Sequence, residues 1–454
     1  GAAQLMIGAT SDAERNLRRA VAIKPDNVAA WRQLHRLHDA RGEHELALQD
    51  LERAIEQSGS TDTQLHMAYI EYQGRHGDRE RAIAARERIA ERVPGNLDNR
   101  RRLAELYLQD DRTQEAKQLL DALLEEAPNE IEFINAMAMY EGLTGEFAQG
   151  RQRLIDYIHK RQAAGEVTSL DWLALARYLR SAQQIGPAMA AYRQAIAIEN
   201  EQRQATRELG DWLFMTQRHA EAAEQYAKLV SSESALSPEE QLLIWRRMVE
   251  ALFKSGQVDE ADAQLRQLLA EHPADAESHM LRGLIAETRL KEQGLSEARR
   301  QQLHEQARTA YDQAVAKAPG TPMPYYQRAR YRVTLQQDEA LELARKDLEK
   351  AIQLDASMIA PRELLVAWHL RHNELQPAIN QQERLVASRP RYAAARKRLA
   401  ELYLTAGGHE LELEALLDES QRLMPRSSTW PQLRSRLYQS RGEFAQAEAA
   451  AAKA

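Results

Sequence analysis

The chain has no cysteine, only 5 phenylalanines and 20 glycines in 454 residues, and no apolar stretch that approaches 18 residues. Without cysteine there can be no disulfide, thiolate metal site or cysteine nucleophile. That absence suits a cytoplasmic or a periplasmic setting equally well. Without a long apolar run no segment reads as a membrane-spanning helix. Gly1-Ala2-Ala3-Gln4 does not read as a signal peptide. Runs of Val, Ile and Thr that could build a sheet are missing too. A strongly basic footprint for nucleic acid or for a membrane surface is also lacking, because the net charge is −7 with both signs spread throughout. Lysine is scarce: only 11 of the 61 cations are Lys and the rest are Arg, spread along the whole chain. What remains is rich in Ala, Leu, Glu, Gln and Arg, all strong helix formers. The fold class expected is all-α.

Order appears in the prolines. Pro94, Pro128, Pro273, Pro319, Pro390 and Pro425 each close a segment that follows, with some substitutions, the form Ala-x3-Leu/Tyr-x2-Ala/Leu-x4-Pro, and Ala13, Leu17 and Ala20 precede Pro25 in the same way. Pro94 and Pro128 are 34 residues apart. A fixed period in the range of about 20–50 residues marks stacked supersecondary units. Ahead of each such segment lies a second stripe, for example Trp31-x2-Leu34-x3-His38, Leu103-Ala104-x2-Tyr107 or Trp245-x2-Met248-Val249-x2-Leu252. Large apolar residues three and four apart place one stripe on a helix, helix A. Small residues beside them (Ala104, Ala176, Gly210, Gly283, Ala329, Ala400) let a second helix, helix B, approach. Gly42, Gly145, Gly256, Gly407 and Gly442 fall between the stripes, where a tight turn is expected.

This pattern resembles the tetratricopeptide repeat over essentially the whole chain. Twelve copies begin near Val28, Asp62, Leu97, Ile131, Ser169, Arg203, Leu242, Ala276, Pro322, Ile359, Ala393 and Ser428. The resemblance implies an α-α superhelical solenoid of helix pairs. The expected organisation is a partial leading repeat over 1–27, repeats one to six over 28–234, and repeats seven to twelve over 235–454. Four segments exceed the period: Tyr157–Thr168, Ser231–Pro238, Thr288–Glu305 and Val333–Leu341. The largest, near 288–305, is helix-prone and is expected to lengthen both helices of its unit. Ser231–Pro238 is turn-rich and ends in an N-cap, Ser237 before Pro238-Glu239-Glu240, a candidate hinge. Arg86 and Gln382 stand where Leu or an aromatic is expected, and Leu413 where a small residue is, so these three repeats are expected to pack less well. The chain begins within a helix A remnant, Ala2–Ala9, and stops inside a helix B, Phe444–Ala454. Solenoids need polar caps, which implies a piece of a longer protein.

A search for chemistry finds no phosphate loop, dinucleotide fingerprint, Gly-x-Ser-x-Gly elbow or His-Glu-x-x-His motif. His35/His38 and His369/His372 have a spacing that can ligate metal, but His38 and His369 occupy the slot held by Tyr107 and Tyr403 in other copies. They read as half-buried rings replacing tyrosine. Adjacent carboxylates such as Glu125-Glu126 do not converge from separate elements as an acid–base pair must. The expectation is therefore no enzyme, no metal and no cofactor, with recognition of a protein or peptide instead.

In tetratricopeptide-like solenoids the A helices line a groove, and here their outward positions carry cations. Arg101, Arg207, Arg246 and Lys397 each have a carboxylate four residues on (Glu105, Asp211, Glu250, Glu401), which neutralises them within their own helix. Arg32, Arg36, Arg177, Arg180 and Arg330 have none, and with Arg246 and Arg247 they are candidate ligands for an acidic segment or a C-terminal carboxylate. Phe214, Phe253, Met323 and Tyr326, together with Met280 and Leu284, place apolar groups on the same face. Aromatics and Met beside Arg are typical of interface hot spots, so the expected site lies between about 207 and 330. The carboxylate-clamp variant of the family holds chaperone tails through Lys and Asn; Arg32 and Arg36 stand in the first copy instead, which disfavours that role. The resemblance leaves open a periplasmic array of a bacterial exopolysaccharide or cellulose secretion protein, or the targeting region of an enzyme such as a glycosyltransferase.

Overall fold

A computed structural model describes residues 10–57, 68–69, 72, 79–198, 203–231 and 236–453. Among these are 24 α-helices and no strand. The expected helix A starts agree closely with the structure: A helices run Val28–Ala40, Leu97–Gln109, Ile131–Leu143, Ser169–Ser181, Gln204–Met215, Pro238–Lys254, Ala276–Arg289, Pro322–Thr334, Ile359–Arg371, Ala393–Ala406 and Thr429–Ser440. Most of the A helix of the second copy and the leading remnant Ala2–Ala9 lie outside the described residues, as does half of the Ser231–Pro238 segment. The chain divides into two compact units, residues 1–209 and 210–454.

Within a unit most helices pack on the next, and successive A helices also touch, as Ile131–Leu143 does Ser169–Ser181 and Ala276–Arg289 does Pro322–Thr334. The small residues explain the closeness. Ala104, Ala176, Ala329 and Ala400 are fully buried. A Cβ added at Gly283 would lie 2.5 Å from Tyr311 Cζ, so the tyrosine ring rests directly on the glycine backbone.

The joints between repeats repeat as well. A donor in the first turns of helix A binds the carbonyl six residues earlier, usually that of the closing proline. Trp31 Nε1 reaches Pro25 O at 2.8 Å, His279 Nε2 Pro273 O at 3.1 Å, and Tyr325 Oη Pro319 O at 3.2 Å. Arg396 does the same to Pro390, and Arg362 to Ala356 at 3.1 Å. These carbonyls follow a helix end and lack a helical partner. The A–B turns are uniform too. All five glycines expected there have positive φ, while Gln183 (φ 57°) and Gln217 (φ 63°) hold the same left-handed conformation without being glycine.

The three positions expected to pack less well are all buried. Arg86 and Gln382 are each tied to the next A helix, although Arg86 Nε and Gln382 Oε1 are left without a hydrogen-bond partner. Arg86 Nη1 donates to Asn99 Oδ1 at 3.1 Å, Asn99 Nδ2 returns a bond to Arg86 O at 3.0 Å, and Gln382 Nε2 donates to Ala395 O at 2.9 Å. Burial lowers Arg86 to about 10, still well above neutrality. Leu413, 1% exposed, is part of the core formed with Leu399, Leu417 and Trp430. The insert near 288–305 lengthens only helix B, Glu297–Lys317, to 21 residues; its helix A remains 14 residues, and the rest forms the turn 290–296.

Candidate protein-binding groove

Of the A-helix arginines that look unpaired in sequence, Arg177 and Arg330 are engaged across repeats and Arg180 within its own. Arg177 Nε donates to Glu208 Oε2 at 2.9 Å and Nη2 to the other carboxylate oxygen, joining helix A of one repeat to helix A of the next. Burial opposes the charge of Glu208, but the hydrogen bonds and charge of Arg177 outweigh it and hold the carboxyl below its ordinary range. Arg180 donates to Tyr192 Oη at 3.1 Å. Arg330 reaches Glu287 at 2.8 Å and Gln327 at 3.0 Å. Arg32 is half-buried and engaged, and Arg36 is exposed. The converse correction concerns Arg246. Its carboxylates are Asp275, at 3.5 Å, and Glu277 on the next A helix, whereas Glu250 pairs with Lys254 at 2.9 Å. Arg101 does bind Glu105 as expected, and Lys397 lies 4.0 Å from Glu401.

Part of the expected cluster comes together. A groove of about 690 Å³ is lined by three successive A helices, Pro238–Lys254, Ala276–Arg289 and Pro322–Thr334. Its lining includes Arg246, Arg247, Met280, Leu284 and Met323. Leu243, Asp275 and Glu277 line it as well and were not anticipated; the signal for Asp275 was its position as an N-cap, accepting from Ser278 N at 3.0 Å. Met323 is 42% exposed and Leu243 37%, so the groove presents apolar surface to solvent. Its charges nearly balance: Arg246 and Arg247 face Glu250, Asp275 and Glu277.

Phe214 adjoins this groove through Arg247, whose guanidinium lies 5.4 Å from the ring centroid; Lys254 Nζ is 4.6 Å from it, and His219 meets the ring edge-on at 5.1 Å. Phe253 is half-buried. Tyr326 packs against the core of Ala329, Ala344, Leu348 and Leu365. Arg32, Arg36, Arg177 and Arg180 belong to the first unit, whereas these residues belong to the second.

The histidines are packed as ring substitutes. His38, 2% exposed, sits 2.5 Å from Asp50 Oδ2, and His369 Nδ1 lies 2.7 Å from Glu374. Among the described residues no group of three or more His, Asp or Glu is arranged to hold a metal ion, and no helix is long and apolar enough to cross a membrane.

Two family models, both described as tetratricopeptide repeat, match the chain: one over residues 75–140, the other over 7–62, 173–239 and 246–322, together more than half its length. Among curated proteins none matches. Solved structures resemble it at low identity. A thermophilic repeat protein from Thermus thermophilus is 19% identical, with 44% of this chain and 99% of that one covered and a TM-score of 0.37. PilF of Pseudomonas aeruginosa is 15% identical over 47% of this chain and 89% of its own, TM-score 0.35. A human IFIT1 dimer with PPP-AAAA is 15% identical over 89% and 93%, TM-score 0.38.

Proposed function

The chain belongs to the tetratricopeptide-repeat family, and from that premise we propose that it is a non-enzymatic scaffold that binds a protein segment in the A-helix groove of its second unit. The observation behind this reading is the groove itself, where Leu243 and Met323 are exposed and Met280 and Leu284 half-buried beside paired charges. Apolar anchors supply most of the affinity in such a site, and Arg247 supplies orientation. An acidic partner has less support than the arginine count implies, because Arg246 already has two carboxylates.

Peptides selected from a random display library against the intact chain test this. Binders should weaken at least tenfold on Met280→Glu or Leu284→Glu and hold their affinity on Arg36→Glu. They should lose little affinity between low and high salt, since apolar contacts are not screened as charges are. Selected peptides indifferent to both groove substitutions would reject the groove.

A further inference from the structure

Helix Ala276–Arg289 has a second lined side. Met280 and Leu284 face the groove described above, while Arg282, Ile285, Ala286 and Arg289 face a separate cavity of about 310 Å³ between helices Val258–Glu271 and Glu297–Lys317. Ile285 and Ala286, both buried, form its floor. Four guanidinium groups surround it: Arg266 from one B helix, Arg282 and Arg289 from the A helix, and Arg299 from the next B helix. A single carboxylate, Asp262, lines it with them.

That carboxylate is shared. Asp262 lies 3.1 Å from Arg289 and 3.6 Å from Arg266, and Arg289 also reaches the fully exposed Asp259 at 2.8 Å. Among the described residues Arg282 makes no ion pair, and the side chain of Arg299 meets the neutral Gln302, at 2.8 Å. Arg299 also stands in the first turn of its helix, after the N-cap Ser296, where the macrodipole disfavours a cation and favours an anion. The cavity therefore holds two positive charges, Arg282 and Arg299, without a matching negative one. The comparable cavity between B helices of the first unit differs: Arg81 and Arg88 there face Glu45 and Glu52. An excess of cations is thus not a general property of this position in the repeat.

We propose that this cavity binds a phosphoryl dianion, with Arg282 and Arg299 as direct ligands and Arg289 held in place by Asp262. Guanidinium is always charged, and its planar fork matches phosphate oxygens in pairs. A monoanionic carboxylate would leave part of the charge uncompensated. The site lies on the other side of helix Ala276–Arg289 from the protein-binding groove and does not depend on that groove being used.

The test is calorimetric titration of the intact chain with inorganic phosphate, acetate and a phosphoserine peptide beside its unphosphorylated form, at constant ionic strength. Phosphate should bind, and acetate at least tenfold more weakly. Arg282→Gln combined with Arg299→Gln should reduce phosphate binding at least tenfold, while Arg81→Gln leaves it unchanged. Circular dichroism confirms folding of each variant, and the single Arg282→Gln, at an exposed position, provides a second reading with an intermediate loss. Tighter binding of the phosphopeptide than of phosphate identifies a phosphorylated chain as the source; the reverse identifies a free phosphoanion. Equal binding of acetate and phosphate, phosphate affinity unchanged in the double variant, or no phosphate binding at all would overturn the proposal.

Discussion

Arg177 and Glu208, on successive A helices, are joined by two hydrogen bonds over a separation of 31 residues. The tie has a pH signature. Because the Glu208 carboxyl is depressed in the folded chain, its contribution is present above the unfolded-state value of about 4.3 and is lost as pH falls through the folded one. Arg177 stays charged throughout. Both groups are partly exposed, so screening limits the pair to about 1 kcal/mol or less at neutral pH. Chemical denaturation of wild type and Glu208→Gln should therefore differ at pH 7 and converge in acid, once the folded-state carboxyl is protonated. A difference that persists in acid would assign the effect of the substitution to packing instead.

Gly283→Ala should destabilise the second unit. Alanine gains about 1 kcal/mol of helical preference over glycine, but its Cβ would meet three ring atoms of Tyr311 at 2.5–2.8 Å. The ring is fully buried and its hydroxyl is bound to Glu287, so it cannot swing away. Overpacking of this kind costs about 1–3 kcal/mol. The effect should shrink in a Tyr311→Leu background, a coupling that a double-mutant cycle measures. Equal losses in both backgrounds would mean that the contact is not the cause.

Gln183→Gly should stabilise by a few tenths to about 1 kcal/mol. The left-handed conformation at φ 57° costs a side-chain-bearing residue about 1–2 kcal/mol, against about 0.5–1 kcal/mol of extra chain entropy that glycine loses on folding. Gln183 is exposed, so no packing is removed. The reverse change, Gly256→Gln, should destabilise by a comparable amount. Thermal melts of the two variants should move in opposite directions.

Trp31→Phe keeps an aromatic ring and removes the donor to Pro25 O. The expected cost is about 0.5–1 kcal/mol, with faster hydrogen exchange concentrated at the start of helix Val28–Ala40. Exchange unchanged there would show that the bond does not hold the joint.

What could be read from the sequence follows from how far each signal reaches along the chain. Proline spacing, the stripe residues and the turn glycines are local, and they place the A helices within a few residues; the structural start at Pro238 rather than Leu242 reflects a capping box, Ser237 with Glu240, that extends the helix backwards. Charge pairing is not local. Within one helix, Arg246 has Glu250 as its evident partner, yet the next A helix offers Asp275 and Glu277, and Arg330 finds Glu287 across the insert. Arg86 and Gln382 break the apolar pattern, but their hydrogen-bond partners start the following helix. The four-arginine cavity was invisible for the same reason: its members come from three helices and stand on both sides of a turn that the repeat period does not contain.

In five repeats the bond from the start of helix A to the carbonyl six residues before it is made by Trp31, His279, Tyr325, Arg362 or Arg396. What the joint demands is a proton to donate at one reach, and chemically unrelated side chains meet that demand. Substitution among donors can therefore proceed freely in a lineage while the angle between neighbouring repeats is preserved. Two such chains would share their joints and show little identity at the positions that make them.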